Sequence, residues 1–286
     1  MAHSHDGIDW DAKVARLREG DELAAPETAD LVRDLLRPQD RTVIDVGAGA
    51  GGAATAFADA MWDTGGTIVL VDSAPELLAE ARRNTTATAG PDVRVLSVQA
   101  DVSRGDLSAV GQADLVFASF VVHHLPDQLA GLRRLVKLIR PGGRLALVES
   151  GLEPRVLPWD VGLGEPGLES RLAAAHAEWF REMRDGMPGS VRLRRGWAQA
   201  MAEAGLDDVL TWTQLVDRPA PVSGAAMTAV LRRLERLRRD AEGRVAQADL
   251  DAVDALLDPG GEHYAGNRDD VFYLHAQTIH VGTRRG

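Results

Sequence analysis

Cysteine is absent from the 286-residue sequence, and lysine is scarce, with only Lys13 and Lys137 among 32 basic residues. Without cysteine the chain has no disulfide bonds, thiolate metal ligands or cysteine nucleophiles. Long apolar runs are also missing, since none approaches the ~18 residues of a membrane span, and residues 1–20 are charged rather than signal-like. We therefore expect a cytoplasmic protein with no membrane partner.

The sequence also lacks an excess of positive charge. Acidic residues number 43 against 32 basic ones, which gives a net charge of −11. Proteins that bind nucleic acid usually present positive charge to the phosphates, so we expect no nucleic-acid partner and a small molecule or peptide as the substrate. His3 and His5 form at most a weak metal-binding pair, and we predict no metal site.

A glycine-rich turn is the most informative stretch of the chain. Residues 42–52 read as an apolar strand, a turn and the start of an alanine-rich helix. Gly47 and Gly49 permit positive φ and bring backbone N–H groups near a ligand, beside the positive end of the helix dipole. With Gly52 they also match the G-x-G-x-x-G pattern of dinucleotide-binding proteins. The turn therefore predicts a ligand with a nucleoside part, but it does not distinguish a dinucleotide from other such cofactors.

Asp45 indicates which ligand the turn binds, because a carboxylate two residues before Gly47 suits a cationic amino group better than a pyrophosphate. A helical stretch also precedes the strand, whereas a dehydrogenase usually begins with it. The turn resembles the first motif of class I S-adenosylmethionine-dependent methyltransferases, acidic-x-Gly-x-Gly-x-Gly. It reads here as Asp45-Val46-Gly47-Ala48-Gly49-Ala50-Gly51. The resemblance is strong over residues 31–149 and looser over 197–281, and it implies S-adenosylmethionine as the cofactor.

The second strand, residues 67–71, is apolar on both faces and ends at Asp72. A carboxylate at this strand end, 20 residues after Gly52, is placed to accept hydrogen bonds from two ribose hydroxyls. Ser73 reads as the N-cap of the next helix, with Glu76 completing a capping box. Because Ser73 fills that role, we assign Asp72 to the ribose, and we include Ser73 among the cofactor-binding residues.

Two later strand ends extend the resemblance. By this resemblance, Asp101 accepts a hydrogen bond from the adenine amino group, and Val102 packs on the adenine ring. The alternative for Asp101 is a carboxylate that only stabilises the turn. Ser119 and Phe120 end the fourth strand, where open α/β sheets bind ligands. The resemblance places them beside the methionine part of the cofactor.

A His-His-Leu-Pro-Asp segment, residues 123–127, follows the fourth strand and is similar to one found in many small-molecule methyltransferases. His123 and His124 are the best-placed candidates for a general base. Adjacent residues point in different directions, so at most one of them faces the acceptor. Glu149 ends the fifth strand at the same rim; it is either the partner of that histidine or part of a buried salt bridge.

The resemblance implies an α/β fold: a Rossmann-like, seven-stranded, mostly parallel sheet with an antiparallel C-terminal strand, helices on both faces and helical lid insertions. We predict a single methyltransferase domain over residues 1–286. Its parts are N-terminal capping helices (1–37), a cofactor-binding core (38–150), a lid insertion (151–195) and the C-terminal part of the sheet (196–286) with a helical insertion (222–258).

The insertions carry weaker signals. In the predicted helix over residues 168–183, His176 lies on the apolar side. It is either an acid or base in a substrate pocket or a histidine packed in the core. Trp159 and Trp179 either line an aromatic acceptor site or pack ordinarily. We expect the arginines of the later insertion to form a solvated face, with an anion site as the alternative: Arg232, Arg233, Arg236, Arg238 and Arg239.

These observations predict transfer of a methyl group from S-adenosylmethionine to oxygen, nitrogen or carbon of a small molecule, by resemblance a specialised metabolite. Alignment of the reacting atoms provides most of the catalysis, and a base is needed only for hydroxyl, acidic carbon or protonated amine acceptors. The alternatives are a non-catalytic or non-methylating protein that binds the same cofactor, and an NAD-dependent reductase. A homodimer formed through the insertions also fits the sequence.

Overall fold

The computed structural model describes residues 9–285, so His3 and His5 lie outside the described residues. The helices are α1 (Trp10–Leu23), α2 (Ala25–Leu35), α3 (Gly52–Ala60), α4 (Pro75–Thr88), α5 (Gln128–Lys137), α6 (Leu168–Asp185), α7 (Trp197–Glu203), α8 (Gly224–Asp240) and α9 (Gln247–Leu257). The strands are β1 (Thr42–Val46), β2 (Gly66–Asp72), β3 (Val93–Gln99), β4 (Ala113–Ser119), β5 (Ile139–Arg155), β6 (Leu206–Arg218) and β7 (Tyr273–Arg284).

The strands form one seven-stranded sheet in the order β3-β2-β1-β4-β5-β7-β6. The pairs β1–β2, β1–β4, β2–β3 and β4–β5 are parallel, and the C-terminal strands are antiparallel. The order reverses between β1 and β4, and ligands of open α/β sheets bind at such a switch point. The predicted Rossmann-like sheet is therefore confirmed, and the glycine turn after β1 lies at this point.

Residues of β1 alternate between two hydrophobic clusters, one on each face of the sheet. Ile44 and Val46 belong to the cluster that includes Leu132 of α5, whereas Val43 belongs to the cluster that includes Phe57 of α3. A parallel strand buried on both faces needs apolar residues at successive positions, as β1 has. The prediction of helices on both faces is thus also confirmed.

The chain divides into two compact units. The first contains the residues up to Gly151, Pro188–Gln214 and those from Gln277 onward; the second contains Leu152–Met187 and Leu215–Ala276. Within residues 9–285, no helix is both long and apolar enough to cross a membrane.

Some element boundaries differ from the predicted ones. Strand β5 extends from Ile139 to Arg155, so Glu149 lies within the strand and not at its end as we predicted. Its pairing with β4 jumps from Ile139 to Arg144, so residues 140–143 bulge out of the ladder. The predicted helical insertion 222–258 contains two helices, α8 and α9, separated by a turn in which Gly243 has φ +71°.

Candidate functional site

The glycine turn connects β1 to α3 in the first unit. Gly47, Gly49 and Gly51 have φ of +70°, +55° and +92°, conformations that favour glycine. Space is also limiting, because a Cβ on Gly47 would lie 2.2 Å from Cγ2 of Val121, and one on Gly51 would lie 2.8 Å from Cα of Ala81. Gly47 and Gly51 therefore serve both backbone conformation and close packing, whereas Gly49, whose Cβ would meet its nearest atoms at 3.8 Å, serves backbone conformation.

Replacing Gly51 by alanine should destabilise the fold markedly. Left-handed backbone costs a non-glycine residue about 1–2 kcal/mol, and the contact with the backbone of Ala81 adds roughly 1–3 kcal/mol of overpacking. Gly167→Ala is the control, because Gly167 is also left-handed, with φ +81° and ψ +20°, but a Cβ there would meet its nearest atom, Nε1 of Trp159, at 3.5 Å. Urea denaturation should show the larger loss for Gly51→Ala, and equal losses would contradict the role of close packing.

The backbone amides of the turn point inward, contrary to our expectation that they would be bare toward a ligand. Gly47 and Ala48 donate to the carbonyl oxygen of Val71 at 2.7 and 3.1 Å. Gly49 donates to Oδ2 of Asp72 at 3.1 Å. Phosphate-binding turns hold the ligand with such amides. Because these amides are already bonded to β2 and its terminal carboxylate, the turn is poorly suited to a pyrophosphate.

Three carboxylates surround the turn instead. Asp45 of β1 is buried, with 3% of its surface exposed. Asp72 follows at the end of β2, and Asp21 of α1 accepts a hydrogen bond from the N–H of Gly52 at 3.1 Å. Burial raises the pKa of Asp45 to about 7, with further increases from the charges of Asp21 and Asp72. The carboxylates are therefore close enough to repel one another.

The pKa values of the other two carboxyls, Asp21 and Asp72, are also raised. Burial raises the pKa of Asp21 to about 6, partly opposed by the hydrogen bond from Gly52. Burial also raises the pKa of Asp72, against the lowering by the N–H groups of Ala74 and Gly49 and by the charge of Lys13. A cationic ligand would relieve this repulsion. The three carboxylates thus fit a ligand that carries positive charge and hydroxyl groups.

The raised pKa of Asp45 predicts a pH dependence of stability. The native carboxyl holds its proton up to about pH 7, whereas the unfolded one releases it near 3.8. Between these values the native state binds more protons, so the free energy of unfolding falls as pH rises. Asp45 alone should contribute on the order of a few kcal/mol to this decline.

Thermal melts of the ligand-free protein from pH 4 to pH 8 would measure this decline. Asp45→Asn keeps the shape but removes the ionisation, so it should flatten the profile and raise the melting temperature at pH 8. Asp59→Asn, at an exposed position of α3, serves as the control and should leave the profile unchanged. An unaltered slope in Asp45→Asn would contradict the assignment.

Helix α1 contributes to the site through residues that the sequence analysis did not identify. The charge of Lys13 acts on Asp72, Cδ1 of Leu17 lies 3.8 Å from a Cβ built on Gly49, and Asp21 accepts from Gly52. Their four-residue spacing places all three on one face of the helix. That spacing was the available signal, but only the structure shows which element the face covers.

The predicted capping box after β2 is wrong. Helix α4 begins at Pro75 with Ala74 as its N-cap, so Ser73 and Glu76 do not occupy the cap and N3 positions. Asp72 itself fulfils the helix-entry role, because its Oδ1 accepts from the N–H of Ala74 at 3.0 Å. A carboxylate offers about four lone-pair directions, and these internal bonds occupy two of them. The ribose contact of Asp72 thus stays a prediction, as does the role of exposed Ser73.

Asp101 adopts the turn geometry that we had considered as the alternative. Its Oδ1 accepts from the N–H and Oγ of Ser103 at 2.8 and 2.6 Å, and its Oδ2 accepts from Nε of Arg104 at 3.1 Å. Although burial raises it, these hydrogen bonds keep the pKa of Asp101 below its ordinary value. Val102 is buried in the core. The adenine contacts of both residues stay predictions.

The rim beyond β4 brings a histidine and a glutamate together. Nδ1 of His123 lies 2.6 Å from Oε2 of Glu149, and the N–H of His123 donates to Oε1 at 3.2 Å. Glu149 is 2% exposed, so its carboxylate fixes both the ring and the backbone of His123. His124 is exposed, and its ring lies 3.9 Å from that of His123.

Two more predicted site residues lie next to this pair. Phe120 has a positive φ of +54°, and its N–H donates to the carbonyl oxygen of Val148 at 2.9 Å. Its ring approaches His123 edge-on, with 6.3 Å between centroids. Ser119 ends β4 and is partly exposed. Backbone strain at a bulky residue beside a candidate base is a feature of functional sites.

Within residues 9–285, no group of three or more histidine, aspartate or glutamate side chains is arranged to hold a metal ion.

Comparison with known proteins gives consistent results. Residues 44–145 match a family described as "Methyltransferase domain". The chain is 34% identical to trans-aconitate 2-methyltransferase of Methylobacterium nodulans, over 60% of this chain and 63% of that protein. It is 33% identical to a ubiquinone biosynthesis O-methyltransferase of Xanthomonas axonopodis, over 43% and 48%. It therefore spans less than two thirds of these two relatives.

A third relative is covered more fully. The chain is 30% identical to 27-O-demethylrifamycin SV methyltransferase of Amycolatopsis mediterranei, over 85% of this chain and 79% of that protein. Among solved structures, an O-methyltransferase family protein from Burkholderia thailandensis superposes with a TM-score of 0.53 at 17% identity, over 99% of this chain and 61% of that one. At that identity the likeness shows the fold alone.

Proposed function

Because the chain belongs to the class I S-adenosylmethionine-dependent methyltransferases, we propose that it transfers the methyl group of this cofactor to a small-molecule acceptor. The observation that carries the proposal is the acidic turn. Asp21, Asp45 and Asp72 surround glycines whose amides are already bonded within the protein. This arrangement favours a cationic, hydroxylated ligand over a pyrophosphate.

The described residues fit the cofactor. Asp45 and Asp21 would attract its positive charge, and Asp72 would accept from its ribose hydroxyls. The glycine turn keeps side chains away from it. When bound, S-adenosylmethionine supplies a methyl group that its positively charged sulfur has already activated for in-line displacement. The task of the protein is then mainly to align the acceptor with that group.

We propose His123 as the catalytic base for acceptors that must lose a proton. Glu149 accepts from Nδ1 of the ring, which leaves Nε2 as the atom that takes the proton from the acceptor. Glu149 is a positioning residue, because it acts through His123. Because Glu149 holds His123 through its ring and its backbone N–H, whereas His124 is exposed, we assign the base role to His123.

The acceptor we propose is a specialised metabolite. Two of the relatives are named for small acceptors, trans-aconitate and a rifamycin derivative, and a third for ubiquinone biosynthesis. The net charge of −11 supports a small molecule rather than a nucleic acid.

Incubation with methyl-labelled S-adenosylmethionine and a panel of acceptors tests this function. The panel should include phenols, aliphatic alcohols, organic acids and amines. We expect label in one of these classes, with equimolar release of S-adenosylhomocysteine. Label incorporated only into added protein or RNA would contradict a small-molecule acceptor.

A further inference from the structure

Arg233 is a buried cation in the second unit. Its side chain is 3% exposed, although we expected the arginines of this stretch to form a solvated face. Helix α8 buries Val230, Leu234 and Leu237 on the same face, so Arg233 occupies a position of the apolar stripe. The expectation is correct for Arg236 and Arg239, which are exposed, and wrong for Arg233.

The guanidinium of Arg233 is only partly hydrogen-bonded. Its Nη1 donates to Oε2 of Glu153 at 3.3 Å. Its Nε and Nη2 are buried and have no hydrogen-bond partner among residues 9–285. These two atoms form the edge of the guanidinium that presents two parallel N–H groups, which is the geometry that binds a carboxylate at two points. Burying a charged donor without a hydrogen-bond partner costs free energy, and an anion bound at this edge would remove that cost.

The neighbouring acidic groups do not fill this edge. Glu169 is buried, and its carboxylate accepts from the N–H groups of Val156 and Leu157 at 3.1 Å. Glu153 is 56% exposed at its side chain and bonds the Nη1 end of Arg233. Because Glu153 borders solvent, it places that end of the guanidinium close to the protein surface.

Two aromatic residues of β7 lie near the same guanidinium. The charge of Arg233 acts on both Tyr273 and His275, which alternate along the strand and so share one face. Burial lowers the pKa of the His275 ring and raises that of the Tyr273 hydroxyl, so both are neutral at pH 7. Two neutral aromatic side chains within range of one buried guanidinium suit an organic anion with an apolar body.

We propose that Arg233 anchors a binding site for an organic carboxylate, which its Nε–Nη2 edge holds through two hydrogen bonds. The site lies within the second unit, and it goes beyond the proposed function.

Thermal unfolding with acetate, benzoate and citrate, each compared with its neutral amide, tests the site without the cofactor. At least one carboxylate should raise the melting temperature of the wild-type protein in a saturable way, and its amide should not. Arg233→Lys keeps the charge but loses the two-point edge, so it should weaken binding at least ~10-fold. Arg233→Met should abolish the effect.

Arg181→Lys is the matched control, since Arg181 is an exposed arginine of the same unit, and it should behave as wild type. Should Arg233→Met fail to fold, ¹⁵N NMR of arginine Nε–H groups replaces it: the carboxylate should shift one resonance that Arg233→Lys lacks. The inference is overturned if no carboxylate stabilises the wild type, if the amides act equally, if Arg233→Met retains the effect, or if no Arg233 resonance shifts.

Failure of this inference is distinguishable from failure of the proposed function. Arg233→Lys should bind S-adenosylmethionine as tightly as wild type, because Arg233 lies outside the glycine turn. Absence of cofactor binding in the wild type would remove the proposed function while leaving the carboxylate result intact.

Discussion

Asp72→Ala should weaken the binding of S-adenosylmethionine by roughly 10²–10⁴-fold. Two hydrogen bonds to a charged acceptor contribute about 1.5–3 kcal/mol each, and the variant loses both proposed ribose contacts. It also loses the acceptor for the N–H groups of Gly49 and Ala74, which positions the glycine turn against α4. Calorimetric titration of the variant measures the loss directly.

Asp59→Ala, on exposed α3 surface, is the control for this experiment and should bind the cofactor normally. Melting temperatures of both variants separate lost affinity from lost folding. Unchanged cofactor affinity in folded Asp72→Ala would mean that the site is placed at the wrong strand end.

His123→Ala should lower kcat by about 10²–10⁴-fold on an acceptor that must lose a proton, with little change in cofactor affinity. The ring is the group that would remove that proton, and Glu149 fixes its orientation through Nδ1. Steady-state kinetics on the acceptor found in the labelling screen, together with cofactor titration, would measure both effects.

Two companion variants sharpen the assignment. His124→Ala should retain most activity, since His124 is exposed. Glu149→Gln should reduce kcat more than it changes KM for the acceptor, as expected for a residue that positions the base rather than the substrate. Full turnover after replacement of both His123 and His124 would remove the base assignment and leave the family assignment intact.

Much of the fold was predictable because local sequence determines it. The apolar strand before Asp45, the glycines at positive φ and the apolar run before Asp72 each have one favourable backbone conformation. Parallel strands then bring their carboxyl ends to the same rim, so the proximity of His123 and Glu149 followed from two strand ends. The direct contact between them required only that both side chains turn toward each other.

Other features depend on contacts between distant segments and carry no local signal. Asp21 belongs to the site because α1 packs over the turn, 31 residues away in sequence from its partner Gly52. The amides of the turn point inward because β2 offers the carbonyl of Val71 and the carboxylate of Asp72. Arg233 is buried because α8 turns it inward among apolar residues, and an arginine run in sequence indicates the opposite.

Parallel calorimetric titration of the purified protein with S-adenosylmethionine, S-adenosylhomocysteine and NADH shows directly which cofactor the acidic turn binds. The acidic turn with its internally bonded amides predicts binding of the first two and no binding of NADH. Binding of NADH alone would show that the turn accepts a pyrophosphate after all, and that this corner is not built for a cationic sulfonium cofactor.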